Sequence, residues 1–278
     1  MDYLSEIDLD DPKVTEHLDE LSRWSAPFGM MMLNRVPMRR GVTILDVGCG
    51  TGFLTLELAQ RCGPDSTIVA VDPWVPVMDR LRSKIAYLGL ENVWLIQDDA
   101  ANIDLPDSSA DFVVSNLGIN NFDNVDAVLQ ACFRVAKPGG RLFLTTNVVV
   151  HMGEFYREFR NVIIECGLSE CLAAFDAHVS HRQTVQSISG MLTCAGFEIA
   201  DVVTDSFRMR YADGSSFLRH YFMRLGFMPA WKVILPEDAV ESAFISLESR
   251  LNQVASEQGE LSITIPMACI EAAKPFSG

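Results

Sequence analysis

Leu45-Asp46-Val47-Gly48-Cys49-Gly50-Thr51-Gly52 follows a short apolar run from Val42 to Leu45 and leads directly into a helix-patterned segment, Phe53 to Arg61. Glycine at every second position marks a backbone that must take positive φ or let a ligand approach more closely than a Cβ allows. A helix that begins just behind such a turn offers unpaired N–H groups to whatever binds there. The stretch therefore reads as strand, nucleotide-type cofactor loop and helix. Two common loop chemistries do not fit it. The dinucleotide pattern G-x-G-x-x-G/A, counted from Gly48 and Gly50, needs Gly or Ala where Phe53 stands, and no Lys-Ser or Lys-Thr follows to make a phosphate loop.

What remains is D-x-G-x-G-x-G, and similar strand-to-acid transitions follow it. Thr67-Ile68-Val69-Ala70-Val71 is a β-branched run that reads as a buried parallel strand and ends in Asp72. An acid about 20 residues past the glycines, at a strand's carboxyl end, can accept two hydrogen bonds from a ribose diol. Val93-Trp94-Leu95-Ile96-Gln97 runs into Asp98-Asp99-Ala100, and Phe112-Val113-Val114-Ser115 into Asn116-Leu117-Gly118. Lys137-Pro138-Gly139-Gly140, a turn signal, precedes the strand-like Arg141-Leu142-Phe143-Leu144.

This ordered set, across residues 41 to 147, resembles the motifs of class I S-adenosylmethionine-dependent methyltransferases. The resemblance implies S-adenosyl-L-methionine as cofactor. Its methionine part would be backed by Asp46, Gly48, Cys49, Gly50, Thr51 and Gly52, and its ribose held by Asp72. Pro73 and Trp74 follow, and Trp74 either packs on adenine or is an ordinary helix-start residue. Asp99 matches the aspartate that accepts from the adenine amino group, with Asp98 where relatives usually carry glycine and Ala100 completing the motif. Asn116 falls in the motif that holds the methionine amine or borders the reacting methyl.

Alternating strand-like and helix-like segments indicate an α/β fold, and the resemblance implies a Rossmann-like, doubly wound, seven-stranded sheet, mostly parallel with an antiparallel edge strand. Helical cap and lid insertions complete it. We expect a single domain over residues 1–278, with a helical cap (1–40), a cofactor core (41–147), a helical lid (148–193) and edge strands (194–278) interrupted by a helical insertion (212–258). In the cap, Leu18, Leu21, Trp24, Phe28, Met31, Met32 and Leu33 recur at helical spacing, with Pro27 and Gly29 suggesting a break. The sixth strand is expected from Glu198 to Arg210 and the last from Leu261 to Ile270.

At 278 residues and 49% apolar composition the chain can bury a large core. The net charge of −15 argues against a nucleic-acid partner, whose phosphates demand Lys and Arg, and against an anionic membrane surface. No apolar run approaches the ~18 residues of a membrane span. Met1 to Glu20 carries eight acids and one Lys, unlike a secretion signal, so a cytosolic protein is expected. Seven scattered cysteines without a C-x-x-C pair fit reduced thiols better than disulfides or a metal site.

The partner expected is therefore a small-molecule acceptor. Trp24, Phe28, Asn120, Phe155 and Arg219 are the candidates to touch it, and the Phe-, Met- and Leu-rich lid favours an apolar one methylated at carbon or oxygen. Aligning acceptor, methyl and sulfur in line supplies most of the catalysis. A general base is needed only if the acceptor must lose a proton, and His151, Tyr156, His181 and His220, with His178 and Asp176, are the candidates. Arg208, Arg210, Arg219, His220, Arg224 and Lys232 fall within 25 residues. They suggest either a carboxyl O-methyltransferase acting on an acidic or carrier-bound substrate, or a solvated face paired with Asp201, Asp205 and Asp213. A catalytically inactive S-adenosylmethionine-binding module is a further alternative, and Phe53 disfavours an NAD-dependent oxidoreductase.

Overall fold

The computed structural model describes residues 2–8, 11–20, 24–180 and 182–276. Its seven strands are β1 (Thr43–Val47), β2 (Thr67–Val71), β3 (Val93–Ile96), β4 (Ala110–Asn116), β5 (Ala136–Asn147), β6 (Glu198–Tyr211) and β7 (Leu261–Ala273). They form one sheet in the order β3-β2-β1-β4-β5-β7-β6. The first five pair in parallel, with Ile44 opposite Ile68 on one side and Phe112 on the other. β7 runs antiparallel to β5, from Arg141 against Ala273 to Asn147 against Met267.

The chain forms two compact units. One comprises Asp10–Asn147, Thr184–Asp205 and Met267–Gly278; the other comprises Met1–Leu9, Val148–Gln183 and Ser206–Pro266. In the first, the central strands are apolar on both faces because helices cover both. Ile44, Ile68 and Val114 pack with Leu33, Leu54 and Leu58 from the helices Ser25–Leu33 and Phe53–Cys62. Their neighbours Leu45, Val69 and Val113 point the other way, toward Leu129 and Leu192 of the helices Val125–Val135 and Val185–Cys194. That period-2 alternation fixes the strand register.

The second unit has an aromatic core. Phe155 is wholly buried, with ring centroids 4.2 Å from Trp231, 5.3 Å from Phe217 and 5.8 Å from Phe159. Around it pack the helices Gly153–Glu165 and Glu237–Gln258, joined by Glu158, which accepts from Arg250 at 3.0 Å.

Two local expectations change. Pro27 and Gly29 do not break a helix but lie within Ser25–Leu33. Pro27 stands in the first turn, where a missing N–H costs no intrahelical bond. A Cβ on Gly29 would come within 2.1 Å of the Phe53 ring, so glycine there permits close packing. The Lys137-Pro138-Gly139-Gly140 segment is part of β5, which begins at Ala136; Gly139 takes φ +76° and the register against β4 shifts between Ala110 and Phe112. Leu21 and the side chain of Leu18 lie outside the described residues. Among the described residues no helix is long and apolar enough to cross a membrane.

Candidate active site

Three strand ends converge on the glycine loop. The amides of Gly48 and Cys49 both donate to the Val71 carbonyl, at 2.9 and 3.1 Å, tying the turn after β1 to the last residue of β2. Gly48, Gly50 and Gly52 have φ of +72°, +54° and +89°, values that L side chains rarely adopt. A Cβ on Gly52 would fall 2.2 Å from Leu81, and one on Gly48 3.2 Å from the Gly118 Cα. Over Gly50, by contrast, a Cβ would meet nothing within 4 Å. The loop is thus packed from below and open above its central glycine.

Asp72 stands at this opening. Its Oδ2 accepts from the Gly50 N–H at 3.0 Å and its Oδ1 from the Trp74 N–H at 2.9 Å. Burial raises its pKa, and these two amides oppose the rise. Each oxygen keeps a second lone pair for a further donor. Pro73 is exposed and Trp74 half-buried, ahead of the helix Val75–Leu88.

Asp46, at 1% exposure, accepts from the Thr55 hydroxyl at 2.6 Å, which links β1 to the helix behind the loop. Burial pushes its pKa up to about 7, against the Thr55 hydrogen bond and with help from the charge of Asp72. Cys49 is also buried, its Sγ 3.7 Å from the Met78 sulfur.

Asp98 and Asp99 are both exposed. Asp98 accepts from the Asp99 N–H at 2.7 Å, while Asp99 accepts from the Ala101 N–H at 2.8 Å and caps the short 3-10 turn Ala100–Asn102. Ala100 is buried beneath them.

At the carboxyl ends of β4 and β5 lies a chain of neutral polar groups. Asn116 accepts from the Thr145 hydroxyl at 2.6 Å and donates to the Ser25 carbonyl at 3.2 Å, which brings the start of the helix Ser25–Leu33 to this edge. Asn120 accepts from the Thr146 hydroxyl at 2.7 Å and donates to Asn147 Oδ1 at 2.8 Å. Asn147 is 2% exposed, and its Nδ2 has no partner. A buried donor left unmade costs about 1–3 kcal/mol. Between the two asparagines, Leu117 takes φ +66°, a strained value for a branched side chain. A Cβ on Gly118 would sit 2.5 Å from Ser115 Oγ.

Trp24 and Phe28 pack on each other at 6.2 Å, with Phe28 wholly buried. Sequence reasoning missed Asp19. It accepts from Lys84 at 2.6 Å and Arg80 at 3.0 Å. Burial opposes its ionisation, but these donors and the Thr51 hydroxyl leave its pKa below the ordinary value. No spacing rule announces that contact, because helix Pro12–Glu20 reaches the loop only through the fold.

The remaining candidates lie in the second unit. Phe155 is committed to the aromatic core described above. Tyr156 and His178 form a pair: the Tyr156 hydroxyl accepts from Trp231 Nε1 at 3.2 Å and shares a hydrogen bond with His178 Nε2 at 3.0 Å, whose direction follows the histidine tautomer. Burial raises the Tyr156 pKa. His151 is 3% exposed beside the Phe227 ring, and burial pulls its pKa down to about 3, which makes it a weak base at neutral pH. His220 packs edge-on against Tyr211 at 5.4 Å. Arg219 donates to Glu248 at 2.6 Å and lies over the Tyr3 ring. Arg210 pairs with Glu260. Of the acids expected from sequence proximity, Asp201 pairs with Arg35, and Asp213 caps the helix Gly214–Arg219, where the Arg219 charge also favours its ionised form. His181 lies outside the described residues.

A methyltransferase-domain family profile matches residues 44–140. Over 187 residues the chain is 30% identical to the ubiquinone/menaquinone biosynthesis C-methyltransferase UbiE of Escherichia coli, a match that covers 59% of this chain and 69% of that enzyme. The chain belongs to the class I S-adenosylmethionine-dependent methyltransferases. Solved structures of such methyltransferases share its fold. One, from Aquifex aeolicus, is 23% identical with a TM-score of 0.54, over 69% of this chain and 92% of that one. Another is the Haemonchus contortus phosphoethanolamine N-methyltransferase 2, in complex with phosphomonomethylethanolamine and S-adenosylhomocysteine. It is 17% identical with a TM-score of 0.53, over 89% of this chain and 52% of that one.

The methyltransferase uses S-adenosylmethionine, and the loop suits such a group. The open side of Gly50 leaves room that a side chain would fill, and Asp72 holds unused acceptor capacity beside it.

Proposed function

We propose that this methyltransferase transfers a methyl group to a small, largely apolar acceptor at carbon or oxygen, by in-line displacement. The observation that carries the reading is the Asp72 carboxylate, fixed by Gly50 and Trp74 next to the open face of the loop. The bound cofactor supplies an electrophilic methyl on a sulfonium. Asp72 takes the ribose diol; Gly48, Cys49, Gly50, Thr51 and Gly52 back the methionine part, with Asp46 bracing the strand end through Thr55. Trp74 and Pro73 flank the adenine, and Asp99, beside Asp98 and Ala100, accepts from its amino group. Asn116 borders the methionine amine.

On the acceptor side, Asn147 Nδ2 donates to an acceptor oxygen, with Asn120 holding the Asn147 carboxamide in place. A phenol or quinol oxygen is favoured, because a neutral amide donor stabilises developing phenolate character without neutralising it by proton transfer. The relative UbiE is named for C-methylation in ubiquinone and menaquinone biosynthesis, which fits an aromatic acceptor of this kind. Carboxyl methylation has less support, since Arg210 and Arg219 are already paired with Glu260 and Glu248.

Incubation with tritiated S-adenosylmethionine and a panel of hydroquinones, catechols and carboxylic acids tests this. Base-stable label in the organic extract is expected. Base-labile label would indicate methyl esters and the carboxyl reading. Tight cofactor binding without transfer to any acceptor or to a metabolite extract would leave an inactive binding module.

A further inference from the structure

A cavity of about 310 Å³ lies within the second unit, between residues 4–7 and the helices Tyr221–Gly226 and Met228–Lys232. Leu4, Ile7, Leu225, Met228, Pro229 and Val233 give it apolar walls. Small-molecule sites run from roughly 300 to 1,000 Å³, so it is at the small end. None of the glycine loop or the acids at the strand ends lines it, and the inference does not depend on the methyl-transfer reading.

Its polar lining is unusual for this chain. Lys232 Nζ donates to the Leu4 carbonyl at 3.1 Å, and Arg224 Nη2 donates to the Ser5 hydroxyl at 2.9 Å and more weakly to the Asp2 carbonyl at 3.5 Å. Among the described residues neither cation forms an ion pair, whereas Arg210, Arg219 and Arg250 of the same unit each pair with a glutamate. The Arg224 Nε–H is shielded from solvent and has no hydrogen-bond partner. In a chain of net charge −15, two half-buried cations on the lining of one apolar cavity, without an acid partner among the described residues, offer a place for an anion.

The charge balance narrows its kind. Arg224 and Lys232 bring two positive charges to the lining and Glu6 one negative, so a singly charged head matches it and a phosphate dianion does not. On its other side Lys232 borders a second cavity, lined also by Glu237 and Glu241, whose charge repels an anion from that direction. The volume sets the size: at roughly 30 Å³ for each water-sized group, it holds about ten heavy atoms.

We propose that this cavity binds a monocarboxylate with a medium-length aliphatic tail, of the size of octanoate or decanoate, its head between Arg224 and Lys232 and its tail along Met228 and Leu225. Calorimetry on the full chain, below the detergent-like concentration range of the ligand, is the test. One equivalent of decanoate should bind, 1-decanol should bind at least tenfold more weakly, and inorganic phosphate should give no heat. Arg224→Met and Lys232→Met keep the apolar stems and should each weaken decanoate at least tenfold. A second readout needs no variant: decanoate should slow acylation of the Lys232 amine, followed by peptide mass spectrometry, while leaving Lys137 unchanged. The proposal is overturned if decanoate does not bind, if both variants bind it as the parent does, if phosphate or decanol binds equally well, or if Lys232 stays unprotected at saturation.

Discussion

Asp72 holds the Gly50 amide at 3.0 Å, so the acid at the end of one strand shapes the loop that follows another. Both amides it accepts from would lose their partner in Asp72→Ala, and the ribose contact would go with them. Loss of a charged hydrogen bond costs about 1.5–3 kcal/mol, so S-adenosylmethionine and S-adenosylhomocysteine should bind at least tenfold more weakly by calorimetry. Unchanged affinity would remove Asp72 from the cofactor site.

Asp46 gives the stability a pH dependence. Its pKa stands at about 7 when folded, above the value of 3.8 for a free carboxyl, so folding favours the protonated form. The stabilisation is complete below the unfolded pKa and is lost as pH rises through the folded one. Asp46→Asn keeps an oxygen for Thr55 and never ionises. Its melting temperature relative to the parent should therefore climb between pH 4 and pH 7 and level off above. A constant difference across that range would mean that Asp46 titrates alike in both states.

Asn147 separates catalysis from stability. Asn147→Leu removes the unpaired Nδ2 but also the Oδ1 that Asn120 donates to, so the melting temperature should fall by no more than the loss of that one part-buried hydrogen bond. If that amide meets a charged acceptor oxygen, a loss of about 1.5–3 kcal/mol lowers turnover by roughly ten- to a hundredfold. Cofactor affinity should stay at the parent value. Parent-like turnover in this variant would assign the acceptor oxygen to another donor.

Arg219 gives a contrasting expectation. Its pair with Glu248 is nearly half exposed on the arginine side, and such pairs contribute about 0.2–1 kcal/mol. Arg219→Ala should lower the melting temperature by a few degrees at most and leave S-adenosylmethionine affinity intact. A large loss of affinity would bring the insertion into the cofactor site.

The strand ends that carry the proposed cofactor site were legible because their acids close apolar runs, and a strand's carboxyl end can be read from the change of residue type alone. Asp46, Asp72 and the glycine turn needed no tertiary knowledge. The proposed acceptor side differs. Asn147 closes a strand whose interior reads like any other, and its importance rests on which atom of which neighbour it faces, here Asn120 across 27 residues. Charge pairing was misjudged for the same reason. Sequence proximity offered Asp201, Asp205 and Asp213 to the arginines, but helix Glu237–Gln258 carries Glu248 to Arg219 across 29 residues. Pro27 reads as a helix breaker until the helix is seen to start at Ser25, which puts the proline in its first turn.

Asp19 ties the first helix to the cofactor loop by electrostatics, with two cations of the neighbouring helix and Thr51 sharing one carboxylate. Such a clasp loosens when mobile ions compete for it. Ionic strength thus acts as a lever on how firmly the first helix is held against the glycine loop, applied from outside the loop itself.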